Sequence, residues 1–149
     1  MITLKRGNIF ESKMQTIVNP VNCVGVMGAG LALAYKNKYP DMFSFYKKAC
    51  QEKRLLPGKP IFYWETSQKK GILLFPTKNH WRDLSKTEYI EDGLDYFVSA
   101  YRQWDVSSIA FPALGCGYGG LTWNMVGNLM IEKLSNIGIP VEIYLPTSA

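Results

Sequence analysis

The residues best suited to chemistry fall in three short segments. Asn19-Pro20-Val21-Asn22-Cys23-Val24-Gly25-Val26-Met27-Gly28-Ala29-Gly30 and Pro112-Ala113-Leu114-Gly115-Cys116-Gly117-Tyr118-Gly119-Gly120-Leu121 are rich in glycine, while Thr77-Lys78-Asn79-His80 sets a lysine close to the chain's only histidine. Each glycine-rich stretch follows an apolar, β-branched run and precedes a helical pattern. Each therefore reads as a strand-to-helix loop whose bare backbone can come close to an anion. Two such loops in 149 residues point to one phosphate-bearing ligand held between them.

The first loop lacks the GxGxxG spacing and ends in no Gly-Lys-Ser/Thr, so dinucleotide-binding and P-loop folds fit poorly. It offers instead the amides of Asn19 and Asn22, suited to ribose hydroxyls, beside backbone N–H groups suited to phosphate oxygens. For any single residue here, a tight-turn glycine or a capping asparagine is as good an account. The second loop packs Gly115, Gly117, Gly119 and Gly120 into six residues. One left-handed position normally serves a βα turn, whereas a nest of N–H groups around a diphosphate would use all of them.

These loops need a scaffold, and the periodicity supplies one. Strands are expected at 2–5, 16–21, 60–65, 71–75, 107–111 and 141–145. Helices are expected at 29–39, at 41–50 with Asp41 as cap, at 85–104 with Ile90, Leu94, Phe97, Val98 and Tyr101 inward, and at 121–136. The alternation predicts an α/β domain with helices on both faces of a mixed sheet. In such sheets ligands sit at the carboxyl ends of the strands, where all three segments fall. One domain, 1–149, is expected, without repeats or linkers.

Composition narrows the setting. Cys23, Cys50 and Cys116 are odd in number and form no CxxC pair, which argues for a reducing compartment and against a zinc site. No apolar run is long enough to cross a bilayer and the first residues lack a signal-peptide core, so a cytoplasmic location away from membranes is expected. The net charge of +5 keeps a nucleic-acid substrate open, although solvated lysines explain each basic cluster equally well.

Gly7-Asn8-Ile9-Phe10, the run from Asn19 through Gly30 into Leu31-Ala32-Leu33-Ala34-Tyr35-Lys36, Phe75-Pro76-Thr77-Lys78-Asn79-His80-Trp81, and Pro112 to Trp123 together resemble a macrodomain. The resemblance covers nearly the whole chain. It is nearest to the DarG-like DNA ADP-ribosyl glycohydrolase (antitoxin) branch, related to the terminal ADP-ribose glycohydrolase. It implies a three-layer sandwich, a mixed six-stranded sheet between helices, with a cleft for ADP-ribose. Asn8 and Ile9 would border the adenine, Gly28, Ala29, Gly30 and Leu31 with Gly115, Cys116, Gly117 and Tyr118 would hold the diphosphate, and Asn22 would face the distal ribose. Asn19, Thr77, Pro112 and Gly119 complete the expected ligand set. Asn8 departs from the aspartate found in many relatives, and its carbonyl accepts a hydrogen bond less strongly than a carboxylate.

The resemblance makes Lys78 the catalytic candidate, removing ADP-ribose from thymidine in single-stranded DNA and so reversing a DNA-modifying toxin. No cofactor or metal is implied, and a monomer is expected. A lysine can stabilise the departing base as an ammonium, or attack the anomeric carbon as a neutral amine. The second route wants an acid, but the matching position in the second loop is Gly119, so the charge role is favoured, with His80 as a possible assistant. His80 is otherwise expected to bond the loop backbone or stack on Trp81. Trp81 and Trp123 could stack on bases or simply pack, while Cys23 and Cys116 read as packing residues. Two other functions stay open: an ADP-ribose reader without turnover, and a hydrolase of protein-linked ADP-ribose or of ADP-ribose phosphate.

Overall fold

The computed structural model describes residues 1–147, so the last two positions of the expected domain lie outside the described residues. Six strands, β1 (Ile2–Lys5), β2 (Thr16–Val21), β3 (Ile61–Glu65), β4 (Lys70–Pro76), β5 (Ile109–Phe111) and β6 (Val141–Tyr144), form one sheet in the order β1-β6-β5-β2-β4-β3. Only β3 runs antiparallel, pairing with β4 at the sheet edge; every other pair is parallel. The helices are α1 (Gly30–Lys38), α2 (Pro40–Gln51), α3 (Thr87–Ala100) and α4 (Trp123–Leu134). The chain is thus the mixed α/β sandwich that the alternation predicts.

Strand alternation sorts the core into two layers. Val18, Leu73, Phe75, Ile109 and Phe111 face α3 and α4, while Ile17, Ile72, Leu74 and Ala110 face α1 and α2. On the first face Phe111 meets Phe75 and Phe97 edge-on, at centroid distances of 6.4 and 5.6 Å. On the second, the buried Tyr35 hydroxyl donates to the Val18 carbonyl at 2.8 Å, which fastens α1 to β2.

Several boundaries differ from the expectation for identifiable reasons. Asp41 does not cap α2: Pro40 occupies the first turn, where its missing N–H costs nothing, and Asp41 follows beside the helix dipole. α3 begins two residues later than expected because Lys86 keeps an extended backbone, φ −114° and ψ 136°, and serves as the N-cap. It ends at Ala100, before a turn in which Asp105 takes a left-handed φ of 57°. Val98 points outward, and Gly93 occupies the inner stripe instead.

Gly93 brings α3 against β4. A Cβ there would stand 2.5 Å from Phe75 Cζ, closer than packed atoms tolerate. Gly93→Ala is therefore expected to lower stability by about 1–3 kcal/mol through overpacking, despite alanine's better helix propensity. Gly138→Ala, with nothing within 4 Å of the added carbon, serves as the control; urea unfolding midpoints check both.

Candidate functional site

The three chemical segments meet because their strands are neighbours. β2 pairs with β5 on one side and β4 on the other, all parallel, so the loops that follow leave the sheet side by side. Two backbone hydrogen bonds tie the central segment to its flanks. Cys23 N–H donates to the Asn79 carbonyl at 2.9 Å, and Ser85 N–H to the Gly119 carbonyl at 2.9 Å. Between the loops lies a cleft of about 600 Å³, within the range of small-molecule sites.

Most of the expected ligand residues line it: Asn22, Gly28, Ala29 and Leu31 from the first loop, Thr77 and Lys78 from the middle, and Pro112, Gly115, Cys116, Tyr118 and Gly119 from the second. Lys78 is half-buried, with Nζ 3.5 Å from the Trp81 carbonyl. Among the described residues no carboxylate lies within 4 Å of it. The wall carries a single carboxylate, Asp83, whose Oδ2 accepts the His80 N–H at 3.2 Å.

The first loop is rigidly braced. Asn22 Oδ1 accepts the Val24 N–H at 3.0 Å and the Tyr46 hydroxyl lies 2.7 Å from it, while Nδ2 donates to the Val26 carbonyl at 2.8 Å. That leaves one Nδ2 hydrogen for a ligand. The second loop has a local reason for each of its glycines. Gly115, Gly117 and Gly120 take left-handed φ values of 73°, 77° and 80°, and a Cβ on Gly119 would come within 2.3 Å of Ser85 Oγ. Gly30 is likewise left-handed, and the Tyr118 ring covers it; an added Cβ would lie 2.9 Å from Cε2. The two glycine loops therefore touch across the cleft through Tyr118.

A macro domain family model matches residues 18–130. The chain belongs to the macro domain family. It is 40% identical over 99% of its length to a DNA ADP-ribosyl glycohydrolase of Mycobacterium tuberculosis, covering 43% of that protein. Thermosipho africanus DarTG, solved in complex with ADP-ribose, superposes with a TM-score of 0.96 at 43% identity, covering 99% of this chain and 42% of that one. The macrodomain of Mycobacterium tuberculosis DarG gives a TM-score of 0.95 at 39% identity, covering 99% of each chain. This macro domain thus spans less than half the length of the DNA ADP-ribosyl glycohydrolases it matches.

Six expected residues are not among those lining the cleft of this macro domain: Asn8, Ile9, Asn19, Gly30, His80 and Gly117. Asn19 alternates onto the α1/α2 face of β2 and is fully buried, its Nδ2 3.8 Å from the sulfurs of Met27 and Met42. Asn8 instead caps the short 3-10 turn at Ile9–Glu11, accepting the Phe10 N–H at 2.9 Å, and Ile9 is a core side chain. His80 Nδ1 accepts the Arg82 N–H at 3.1 Å and its ring lies 5.3 Å from Trp81. Trp123 packs on the core and over Gly127.

Sequence reasoning missed Tyr46, Asp83, Leu84 and Ser85 as parts of the site. Tyr46 was visible only as one more apolar position in a helical stripe, Asp83 and Leu84 belong to a segment without periodicity, and Ser85 read as the first residue of the 85–104 helix. Ser85 is 5% exposed and its Oγ has no hydrogen-bond partner. Gly119→Ala, which drives a methyl into that hydroxyl, is expected to destabilise the domain by about 1–3 kcal/mol. Combining it with Ser85→Gly should recover most of the loss, as read from thermal midpoints of the single and double variants.

Burial, and then the neighbouring Cys50, push the Cys23 thiol up to about 12 from 9.0; burial raises Cys116 as well. A folded-state pKa above the unfolded one favours folding at low pH, and that contribution is lost as pH rises from about 9 to about 12. Cys23→Ala is expected to flatten the loss of stability across that window. At pH 8, iodoacetamide should label Cys23 at least about a hundredfold more slowly in the folded than in the urea-unfolded chain, by mass spectrometry.

Proposed function

We propose that this macro domain binds ADP-ribose between its glycine loops and hydrolyses the glycosidic bond that joins ADP-ribose to thymidine in single-stranded DNA. The observation that carries the reading is the position of Lys78: on the wall of the cleft between both loops, and tied to each through its own segment. The names of the similar proteins support the substrate, and the bound ADP-ribose of the Thermosipho africanus protein supports the ligand. Asn22, Gly28, Gly115 and Tyr118 are assigned to the ligand's ribose and diphosphate, and Asn8 and Ile9 to its adenine.

In the reaction, water's oxygen bonds to the anomeric carbon while the carbon–nitrogen bond breaks. The electron pair of that bond passes to the base nitrogen, which takes up a proton as the attacking water gives one up. Positive charge builds on the ribose and negative charge on the base, so a fixed ammonium beside the base lowers the barrier. Lys78 takes this electrostatic role. A lysyl adduct wants an acid–base partner, and position 119, where the resemblance places one, is a glycine whose added Cβ would meet Ser85 Oγ.

On this reading the acting unit is the one domain, working as a monomer. The reading implies a DNA-modifying toxin that adds the group, and the three free cysteines suit a reducing cytoplasm. None of the described helices is long and apolar enough to cross a membrane.

An ADP-ribosylated thymidine oligonucleotide tests the reading. The wild type is expected to release ADP-ribose, and Lys78→Ala to lower kcat by about 10²–10³ with ADP-ribose affinity, measured by calorimetry, changed less than about threefold. Tight binding without release would make the domain a reader; release from a peptide conjugate alone would move the substrate to protein. Stoichiometric borohydride trapping of an adduct on Lys78 would replace the electrostatic role with a covalent one.

A further inference from the structure

A second hollow of about 450 Å³ lies beside the cleft, lined by Asn79, Asp83, Leu84, Ser85, Lys86 and Tyr89. Asp83, Leu84 and Ser85 belong to both walls. The two hollows therefore meet along one strip of chain, with Leu84, 69% exposed, as the sill between them. On either side of the sill a cation lies over an aromatic ring. Arg82 Cζ is 4.6 Å from the Trp81 centroid on the cleft side, and Lys86 Nζ is 5.5 Å from that of Tyr89 on the other.

This is the chemistry that holds single-stranded nucleic acid: aromatic faces stack on bases of any sequence, and cations beside them meet the phosphates. The one carboxylate in the strip, Asp83, is engaged by the His80 N–H. Across 82–86 two cations, Arg82 and Lys86, stand against it, while the wall of the second hollow holds one of each sign, Lys86 and Asp83. Lys78 belongs to the same segment, which brings a base leaving the cleft out beside the sill.

We propose that the second hollow is a nucleotide subsite, which receives the nucleotide next to the modified thymidine, with its base on Tyr89 and Lys86 as the counter-charge of its phosphate. The proposal rests on the reading of the domain as a DNA ADP-ribosyl glycohydrolase. Its consequence is a preference for the modified base within a strand over the same base alone.

Steady-state kinetics on two substrates, ADP-ribosyl-thymidine as a nucleoside and the same group within a single-stranded oligonucleotide, test it. Tyr89→Leu and Lys86→Ala are each expected to lower kcat/KM on the oligonucleotide about tenfold, through KM, and to leave the nucleoside constants unchanged. Lys86 caps α3 through its backbone alone, so its side chain can be removed without disturbing the helix start. Tyr89→Phe, which keeps the ring, should retain the wild-type value, and added salt should narrow the gap between wild type and Lys86→Ala. A wild type active on both substrates, with variants that match it on the oligonucleotide or lose both activities in parallel, overturns the subsite and leaves the glycohydrolase reading intact. A wild type that releases ADP-ribose from neither substrate overturns that reading and the subsite with it.

Discussion

The site depends on the parallel pairing of β2 with β4 and β5 at once. A parallel strand needs a crossover connection, and crossovers place helices on the sheet faces and loops at the strand ends. Because β5, β2 and β4 are adjacent, the loops that leave them cannot be far apart. The register runs on past the strands: the Thr77 N–H donates to the Val21 carbonyl at 3.0 Å, so the Lys78 segment starts already fastened to the root of the first glycine loop.

Much of this was legible in the sequence because the relevant signals are local. The near-continuous apolar run of β2 announces a strand buried on both faces, and the glycine-rich stretch after it announces a loop. What was not legible depends on which side of a strand a residue faces once its neighbours are known. Asn19 looked as able to meet a ribose as Asn22, yet alternation buries the first and leaves the second at the strand's end. Val98 follows the apolar helical stripe by type but not by angle. Ser85 reads in the sequence only as a helix start: its importance comes from the Gly119 backbone 34 positions away in the chain.

The glycines of the second loop show how a functional reading and a packing reading converge. Four glycines suggest an anion nest, but three are required by left-handed backbone and the fourth by the Ser85 hydroxyl. The same backbone is held from within, by hydrogen bonds from the Cys116, Gly120 and Leu121 N–H groups to the Ala113, Gly117 and Gly115 carbonyls. Local necessity therefore does not argue against the proposed diphosphate site. It means that such a site would be preformed, and preformation spares a ligand the entropy of ordering the loop.

The two glycine loops differ in how firmly they are held, and the Lys78 segment joins them. Asn22, Tyr46 and Val26 lock the first loop from within, whereas Tyr118 at the tip of the second is 76% exposed and rests on Gly30 alone among the glycines. The hydrogen bond from Ser85 N–H to Gly119 ties the second loop to the stretch that carries Lys78, and the bond from Cys23 N–H to Asn79 ties that stretch to the first. On the proposed reading, the loops that hold the diphosphate and the lysine that faces the departing base are thus parts of one hydrogen-bonded unit. A charge that acts only when correctly placed gains from that coupling, since its effect on the barrier falls steeply with distance from the developing anion.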